Sequence, residues 1–425
     1  MSEPTVVFFP EGAFGPTNNC VGIGQVLRER GARVVFVVEE SFAGTLEAQG
    51  FEEGLMRLKP APMASALESP GQFWKDFVRD TAPEFRKPTI EQLEGFVLPV
   101  WQELVDGARY VDDRLREIFA DLRPDVIVED NVVGFPAVVA AGAPWVRIVS
   151  CNPLEVKDPE LPPPYSGLPL ADRSEWGSFR AEYARRMGEL QGSFSEFCVE
   201  HGAPPLPELE FIHESAWLNL TLYPDELDYP RSRPLGPAWR SLQTCVRDTD
   251  AAWAAPEPDR RALVYLSLGS LGSADVPLMQ RLVAELADTP HRYVVSKGPQ
   301  HAEFELAENM VGEEFLPQTS VLPHVDAVIT HGGNNTTTEC MWFGKPMLVL
   351  PVFWDQHDNA QRVDEAGYGA RLPTYAFEDG ELAAAVDRVL ADEALRARCA
   401  AAGGRLRRLP GTVLAADLIE QVAAG

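Results

Sequence analysis

Phosphate chemistry is concentrated in one stretch of this chain. It runs from Phe315-Leu-Pro-Gln318 through Thr330-His-Gly-Gly-Asn-Asn-Thr-Thr-Thr-Glu339 to Pro351-Val-Phe-Trp-Asp-Gln-His-Asp-Asn359. The pattern predicts a short apolar strand over 325–330, a Gly- and Asn-rich turn over 331–336, and a helix opening over 337–343. The first amides of a helix lack carbonyl partners and carry a positive partial charge. Gly332 and Gly333, just before that start, let a phosphate come close to the backbone. This is a place to hold a diphosphate, with His331, Asn335 and Thr336 as side-chain donors.

The neighbouring residues extend the site. Phe315 can offer a flat face to a base, and the backbone of Leu316 can pair with the edge of that base. Gln318 and Glu339 can hydrogen-bond a ribose diol. Asp355 and Gln356 offer acceptors and donors suited to the hydroxyls of a hexose. Gly269-Ser-Leu-Gly272 supplies a further turn after a strand. Each has an ordinary structural explanation when taken alone: a core aromatic, a plain turn, a histidine at a strand end. Their joint occurrence in this order is what points to a nucleotide sugar.

Elements of alternating type must position these groups. In the first half, strands are predicted at Thr5–Phe9, Arg33–Val38, Val126–Val128 and Trp145–Val149. Helices are predicted at Asn19–Arg30, ended by Gly31, at 41–49, capped by Ser41 and closed by Gly50, and at Trp101–Leu122, stopped by Pro124. The second half repeats the rhythm, with strands at 262–268, 293–295, 310–315, 325–330 and 346–350 and a helix at Pro277–Ala287. Such alternation predicts parallel sheets covered on both faces, an α/β chain of two doubly wound domains. The expected division is 1–223, a proline-rich linker at 224–260, a second domain at 261–410, and a terminal helix at 411–425. That helix carries Leu414, Leu418 and Val422 on one face and is expected to pack back toward the first domain. Residues 60–100 and 152–215 interrupt the rhythm with prolines and aromatics: Phe73, Trp74, Phe77, Phe85, Tyr165, Trp176, Phe179, Tyr183, Phe194 and Phe197. They read either as packing helices or as the mouth of a site for an apolar ligand, since the cleft at the strand C-termini is where such sheets bind.

Composition narrows the partners. The 425 residues carry a formal net charge of −27, which argues against nucleic-acid backbone and anionic membrane surfaces. Only six of the 37 basic residues are lysine, a bias of high-GC bacterial coding. No apolar run is long enough for a membrane span. Met-Ser-Glu-Pro lacks the charged and apolar regions of a secretory signal, so a cytoplasmic location is expected. Six cysteines (Cys20, Cys151, Cys198, Cys245, Cys340, Cys399) lack metal-type spacing and suit free thiols in a reducing compartment. Oligomeric state is not legible.

The stretch at 315–359 resembles the donor-binding box of the UDP-glycosyltransferases, the family 1 glycosyltransferases, with the bacterial macrolide glycosyltransferases as the nearest-looking branch. Tyr229-Pro, Leu235-Gly-Pro and Val264-Tyr-Leu-Ser-Leu-Gly-Ser270 also look like family features. The resemblance implies a GT-B fold, two facing Rossmann-like domains with the nucleotide on the C-terminal one. It implies base stacking by Phe315, ribose contacts by Gln318 and Glu339, diphosphate contacts by His331, Asn335 and Thr336, and sugar contacts by Asp355 and Gln356. Ser270 would approach the phosphate and Ser150 the sugar. The implied reaction is transfer of a hexose, with glucose expected, from a UDP-sugar to a lipophilic acceptor such as a macrolide or phenol. It proceeds with inversion and without a metal or other cofactor.

One departure bears on catalysis. The family carries a histidine after the first strand in a Gly-His-x-Asn-Pro setting, whereas this chain reads Gly15-Pro-Thr-Asn-Asn19 and has no histidine before His201. Phe14, Pro16 and Asn18 are thus expected on the acceptor side without a base among them. Asp130 stands where the family's partner aspartate is expected, and Glu129 should point away from it. Either Asp130 or Glu11 serves as the base, with burial raising its pKa, or the acceptor is acidic enough to need none, or another group such as His213 acts. The alternatives are a non-catalytic nucleotide-sugar-binding partner of another glycosyltransferase and a GT-B sugar-nucleotide epimerase.

Overall fold

A computed structural model of the chain describes residues 3–60, 79–248, 250–257 and 260–425. The first half contains β1 (Thr5–Pro10), α1 (Phe14–Glu29), β2 (Arg33–Glu39), β3 (Glu52–Met56), α2 (Leu98–Leu122), β4 (Val126–Asp130), β5 (Trp145–Val149), α3 (Trp176–Glu200), β6 (Leu218–Thr221) and β7 (Trp239–Ser241). The second contains β8 (Leu263–Ser267), α4 (Val276–Ala287), β9 (Arg292–Ser296), β10 (Met310–Glu313), β11 (Ala327–Thr330), α5 (Asn334–Phe343), β12 (Met347–Val349), α6 (Gln356–Glu365), β13 (Gly369–Arg371), α7 (Glu381–Ala391), α8 (Glu393–Leu406) and α9 (Gly411–Ala424).

The strands form two parallel sheets, ordered β3-β2-β1-β4-β5-β6-β7 and β10-β9-β8-β11-β12-β13. In each the order reverses beside the first strand, between β1 and β4 and between β8 and β11. Loops diverge there and leave a crevice at the strand C-termini. Both faces of each sheet are covered, so consecutive strand residues are apolar. In the first sheet Val7, Phe9, Val35, Val37 and Ile127 face the aromatic layer with Trp101 and Phe179. Val6, Phe8, Val34, Phe36, Val126 and Val128 face the opposite layer with Ile23, Leu27 and Ile419. Among the described residues no helix is long and apolar enough to cross a membrane. All six cysteines are unpaired, and all but Cys151 are buried.

Local differences from expectation have physical causes. Helix α1 opens at Phe14 rather than Asn19, because a proline in the first turn forfeits no intrahelical hydrogen bond. Residues 41–49 form no α-helix but two short 3₁₀ turns, Glu40–Phe42 and Glu47–Gln49. Between them the Glu53 carboxylate accepts from the amides of Gly44, Leu46 and Glu47, so a tertiary partner takes the donors a helix would use. The stretch expected as a linker contributes β7, which hydrogen-bonds to β6, so the first sheet continues past residue 223. Helix α9 packs on the first half as expected, but through Ala415, Ala416 and Ile419, with Leu418 and Val422 partly buried beside them. Leu414 is 41% exposed and lies off that face. Phe73, Trp74 and Phe77 lie outside the described residues.

Candidate active site

On the first sheet the crevice is lined by acids. Glu11 follows β1 and Asp130 ends β4, and the Glu11 amide donates to the Asp130 carbonyl at 2.8 Å. The Ser150 hydroxyl donates to Asp130 Oδ1 at 2.7 Å, while Oδ2 has no protein partner. Burial pushes the Asp130 carboxyl up to about 7, helped by the nearby charge of Glu11 and opposed by Ser150 and Arg147. Glu11 keeps part of its surface open, yet burial of its carboxyl pushes that up to about 7 as well. Glu129 points away from Asp130 as strand alternation requires, toward Arg147, which it opposes in register on β5. It is fully buried, and burial drives it up to about 8 against the opposing pull of Arg147.

The remaining acceptor-side residues sort differently. Pro16 and Asn18 occupy the first turns of α1, and Phe14 opens that helix, although its side chain is not among those described. Gly15 stands against Asn335 of α5, 3.7 Å from its Cβ to the place a Gly15 Cβ would take, so the two helix starts face each other across the cleft. Ser150, expected near the sugar, donates its hydroxyl to Asp130, and its carbonyl accepts from the Asn334 side chain. His213 is buried with Nε2 on the Pro204 carbonyl at 2.7 Å, and burial lowers its pKa, so it is tied into the wall rather than turned to the cleft.

On the second sheet the crevice is a cradle of backbone and amide groups. Gly269 adopts φ +68°, and a Cβ there would stand 3.0 Å from the His331 ring, so only glycine allows this approach. Ser270 lies in the single helical turn 269–272 that follows. A Cβ on Gly333 would meet His331 Nε2 at 2.6 Å. Burial drives the His331 pKa down to about 4. The imidazole is therefore neutral near pH 7 and offers a hydrogen bond but no positive charge. Helix α5 starts immediately beyond and points its free amides at the same space.

Around that start the donor-site side chains are tied together. Gln318 donates to Thr336 at 3.2 Å and to Glu339 at 2.6 Å, and Asn335 donates to Glu339 at 3.0 Å. Glu339 also pairs with Arg247 at 2.7 Å. Phe315 is 52% exposed, as a base-stacking platform requires, and Leu316 packs partly into the core behind it. Asp355 accepts from Asn359 at 2.8 Å, and burial raises its pKa well above the ordinary range. The Gln356 carbonyl accepts from the amides of Val352 and Phe353 at 3.0 and 3.3 Å, which leaves its NH₂ end for a ligand.

Residues to which the sequence assigned no role hold the halves together. Asn334 reaches across to the Ser150 and Leu222 carbonyls. Asp358 accepts from Asn152 at 2.7 Å and from the amides of Tyr165 and Gly167 at 2.6 and 2.7 Å. Phe353 stacks on Phe85 at 5.0 Å, and Trp354 lies 4.5 Å from Tyr165 and 5.3 Å from Trp101. Trp354 and Tyr165 both hold positive φ, +55° and +68°, a costly conformation for bulky residues that clusters at functional sites. Asn334 and Asp358 stood inside the quoted motif. Arg247 stood alone in a proline-rich stretch and gave no signal.

A family model described as UDP-glucoronosyl and UDP-glucosyl transferase matches residues 247–400. Demethyllactenocin mycarosyltransferase of Streptomyces fradiae is 25% identical over 98% of this chain and 86% of its own length. UDP-glycosyltransferase 76H1 of Stevia rebaudiana is 30% identical over 63% of this chain and 71% of its own. Among solved structures, the glycotransferase of kitacinnamycin aligns over 100% of both chains with a TM-score of 0.68 and 20% identity. That likeness identifies the architecture as the GT-B fold.

Proposed function

The chain belongs to the UDP-glycosyltransferase family, and on that premise we propose that it moves a hexose from a nucleoside diphosphate sugar to a hydroxyl of a lipophilic small molecule. Transfer inverts the anomeric carbon and needs no metal. One observation carries the reading: the acids after β1 and β4 and the imidazole and helix start after β11 stand at facing switch points, joined through Ser150 and Asn334.

The chemistry divides between the two sides. The acceptor oxygen attacks the anomeric carbon as the bond to the diphosphate breaks. Asp130 takes the acceptor proton on its unpartnered Oδ2. A general base works best with a pKa near the operating pH, and burial has moved this carboxyl to about 7. The departing diphosphate gathers negative charge, which the α5 amides and the His331 N–H stabilise without reorganising. Asp355 and the Gln356 amide hold the sugar hydroxyls. Trp101, Tyr165, Phe211 and Trp354 form a packed, buried aromatic layer, against which an apolar acceptor would lie.

Incubation with UDP-glucose or dTDP-glucose and a panel of phenols and macrolides tests this. Acceptor-dependent release of nucleoside diphosphate is expected. Pro16, in the family's histidine position, supports a second reading, a non-catalytic nucleotide-sugar-binding partner. Tight nucleotide binding with no turnover on any acceptor would favour it.

A further inference from the structure

Resting on the transfer reading, we propose that a cavity bordering the aromatic layer binds a second hydroxyl of the acceptor, one that receives no sugar, through Trp101, Arg147 and Glu155. Trp101, Tyr165 and Phe211 belong both to the layer and to the cavity wall. The cavity leaves about 20 Å³ for the centre of a water-sized group. One oxygen needs about 10–15 Å³ of such space, so a single O–H fits and a carboxylate or phosphate does not.

Three buried polar atoms of residues on that wall lack a hydrogen-bond partner among the described residues: Trp101 Nε1, Arg147 Nε and Glu155 Oε1. Trp101 and Arg147 are 4% and 5% exposed, so bulk water does not serve them. Both side chains are held in place. The Trp101 ring stacks on Phe211 with centroids 4.1 Å apart, and the Arg147 guanidinium lies 5.9 Å from the Trp239 ring. The Tyr183 hydroxyl stands close to Trp101 but takes no hydrogen bond from Nε1. Lys157, on the same wall, is already paired with Glu210 at 3.4 Å.

A hydroxyl matches this set. It accepts two hydrogen bonds and donates one, so it can take the N–H groups of Trp101 and Arg147 and give its proton to Glu155. A water can serve the same atoms in the free protein. An acceptor hydroxyl replaces that water bond for bond, whereas an apolar substituent strands two donors and a carboxyl oxygen. Glu155 also ties the cavity to the crevice, because its carboxyl meets the Cys151 thiol and feels the charge of Asp130. Arg147 acts on Asp130 as well. A molecule anchored here lies beside Asp130, and the anchor decides which of its hydroxyls is glycosylated.

Transfer from UDP-glucose or dTDP-glucose to dihydroxybiphenyl, dihydroxynaphthalene and oestradiol, each against the mate lacking one hydroxyl, tests this in the whole protein. The best diol is expected to exceed its mate in kcat/KM by about tenfold or more. Trp101→Phe deletes the N–H and keeps a ring against Phe211. It is expected to bring that pair within about threefold, mainly by slowing the diol. Glu155→Met removes the proton acceptor at similar length and is expected to do the same. Equal turnover of diols and mates by the unaltered protein overturns the proposal and leaves the cavity to water. That comparison stands even if neither variant folds. A ratio unchanged in both folded variants overturns it too. No transfer to any of these compounds removes the proposed function itself, and this inference with it.

Discussion

Ser150 donates its hydroxyl to Asp130 at 2.7 Å. Through its carbonyl the same residue receives Asn334, the first residue of α5, the helix proposed to hold the donor phosphates. The base candidate and the leaving-group cradle are therefore built around one residue.

Asp130→Asn should lower kcat/KM by about 10²–10⁴, the usual worth of a general base, and by more than Glu11→Gln does. The group acts when deprotonated, so activity should rise with pH around a midpoint near 7. Ser150 favours the ionised form of Asp130, so Ser150→Ala should move that limb to higher pH. Steady-state profiles from pH 5 to 9 check both. A larger loss in Glu11→Gln would transfer the role to Glu11.

His331→Ala should raise donor KM and lower kcat together, because the diphosphate is held in both ground and transition states. The combined loss in kcat/KM should be about 10²–10³. Burial keeps the imidazole near a pKa of 4, so this residue should add no limb to the profile above pH 5. A protonation step near 6 that vanishes in the variant would show that the ring carries charge.

How far this was legible beforehand differs by residue type. Groups fixed by local backbone geometry were readable: the glycines beside His331, the helix opening after them, and the strands on either side. Phe315 and Glu339 were named from spacing within one continuous segment, and the structure leaves Phe315 exposed and ties Glu339 to Gln318 and Asn335. Contacts made across the fold were not readable. Ser150 was expected near the sugar because its hydroxyl matches a position, and its hydrogen bond to Asp130 becomes visible only once β4 and β5 are paired. Glu53 dissolved an expected helix at 41–49 from outside that segment. Arg247 reaches Glu339 over 92 residues of chain, a distance no local pattern spans.

Stability should fall as the solution turns basic. Burial pushes Glu129 and Asp130 from the ordinary carboxyl values of 4.5 and 3.8 up to about 8 and 7. Between these limits the folded protein holds protons that the unfolded chain has released. The stabilisation is complete below about pH 4 and is lost as pH rises through 7 to 8. The thermal midpoint should be lower at pH 8.5 than at pH 6, and Glu129→Gln should reduce the difference. A midpoint that rises over this interval would contradict the assignment.

Asp358→Ala should loosen the contact between the halves without unfolding either. It removes three hydrogen bonds, two of them from the amides of Tyr165 and Gly167. Hydrogen exchange at those amides should accelerate by about tenfold or more, the loss of roughly one charge-assisted bond's stabilisation. Protection in β1, β4 and β5 should hold. Uniform loss across the first sheet would make Asp358 a fold residue instead.

The central claim is that the turn between β11 and α5 receives a nucleoside diphosphate. A crystal structure with dTDP or UDP tests it most directly. The diphosphate oxygens should lie within hydrogen-bond reach of the first α5 amides and the His331 ring, with the base over Phe315. A nucleotide bound elsewhere at saturating concentration, with His331 and the α5 start untouched, would contradict the account.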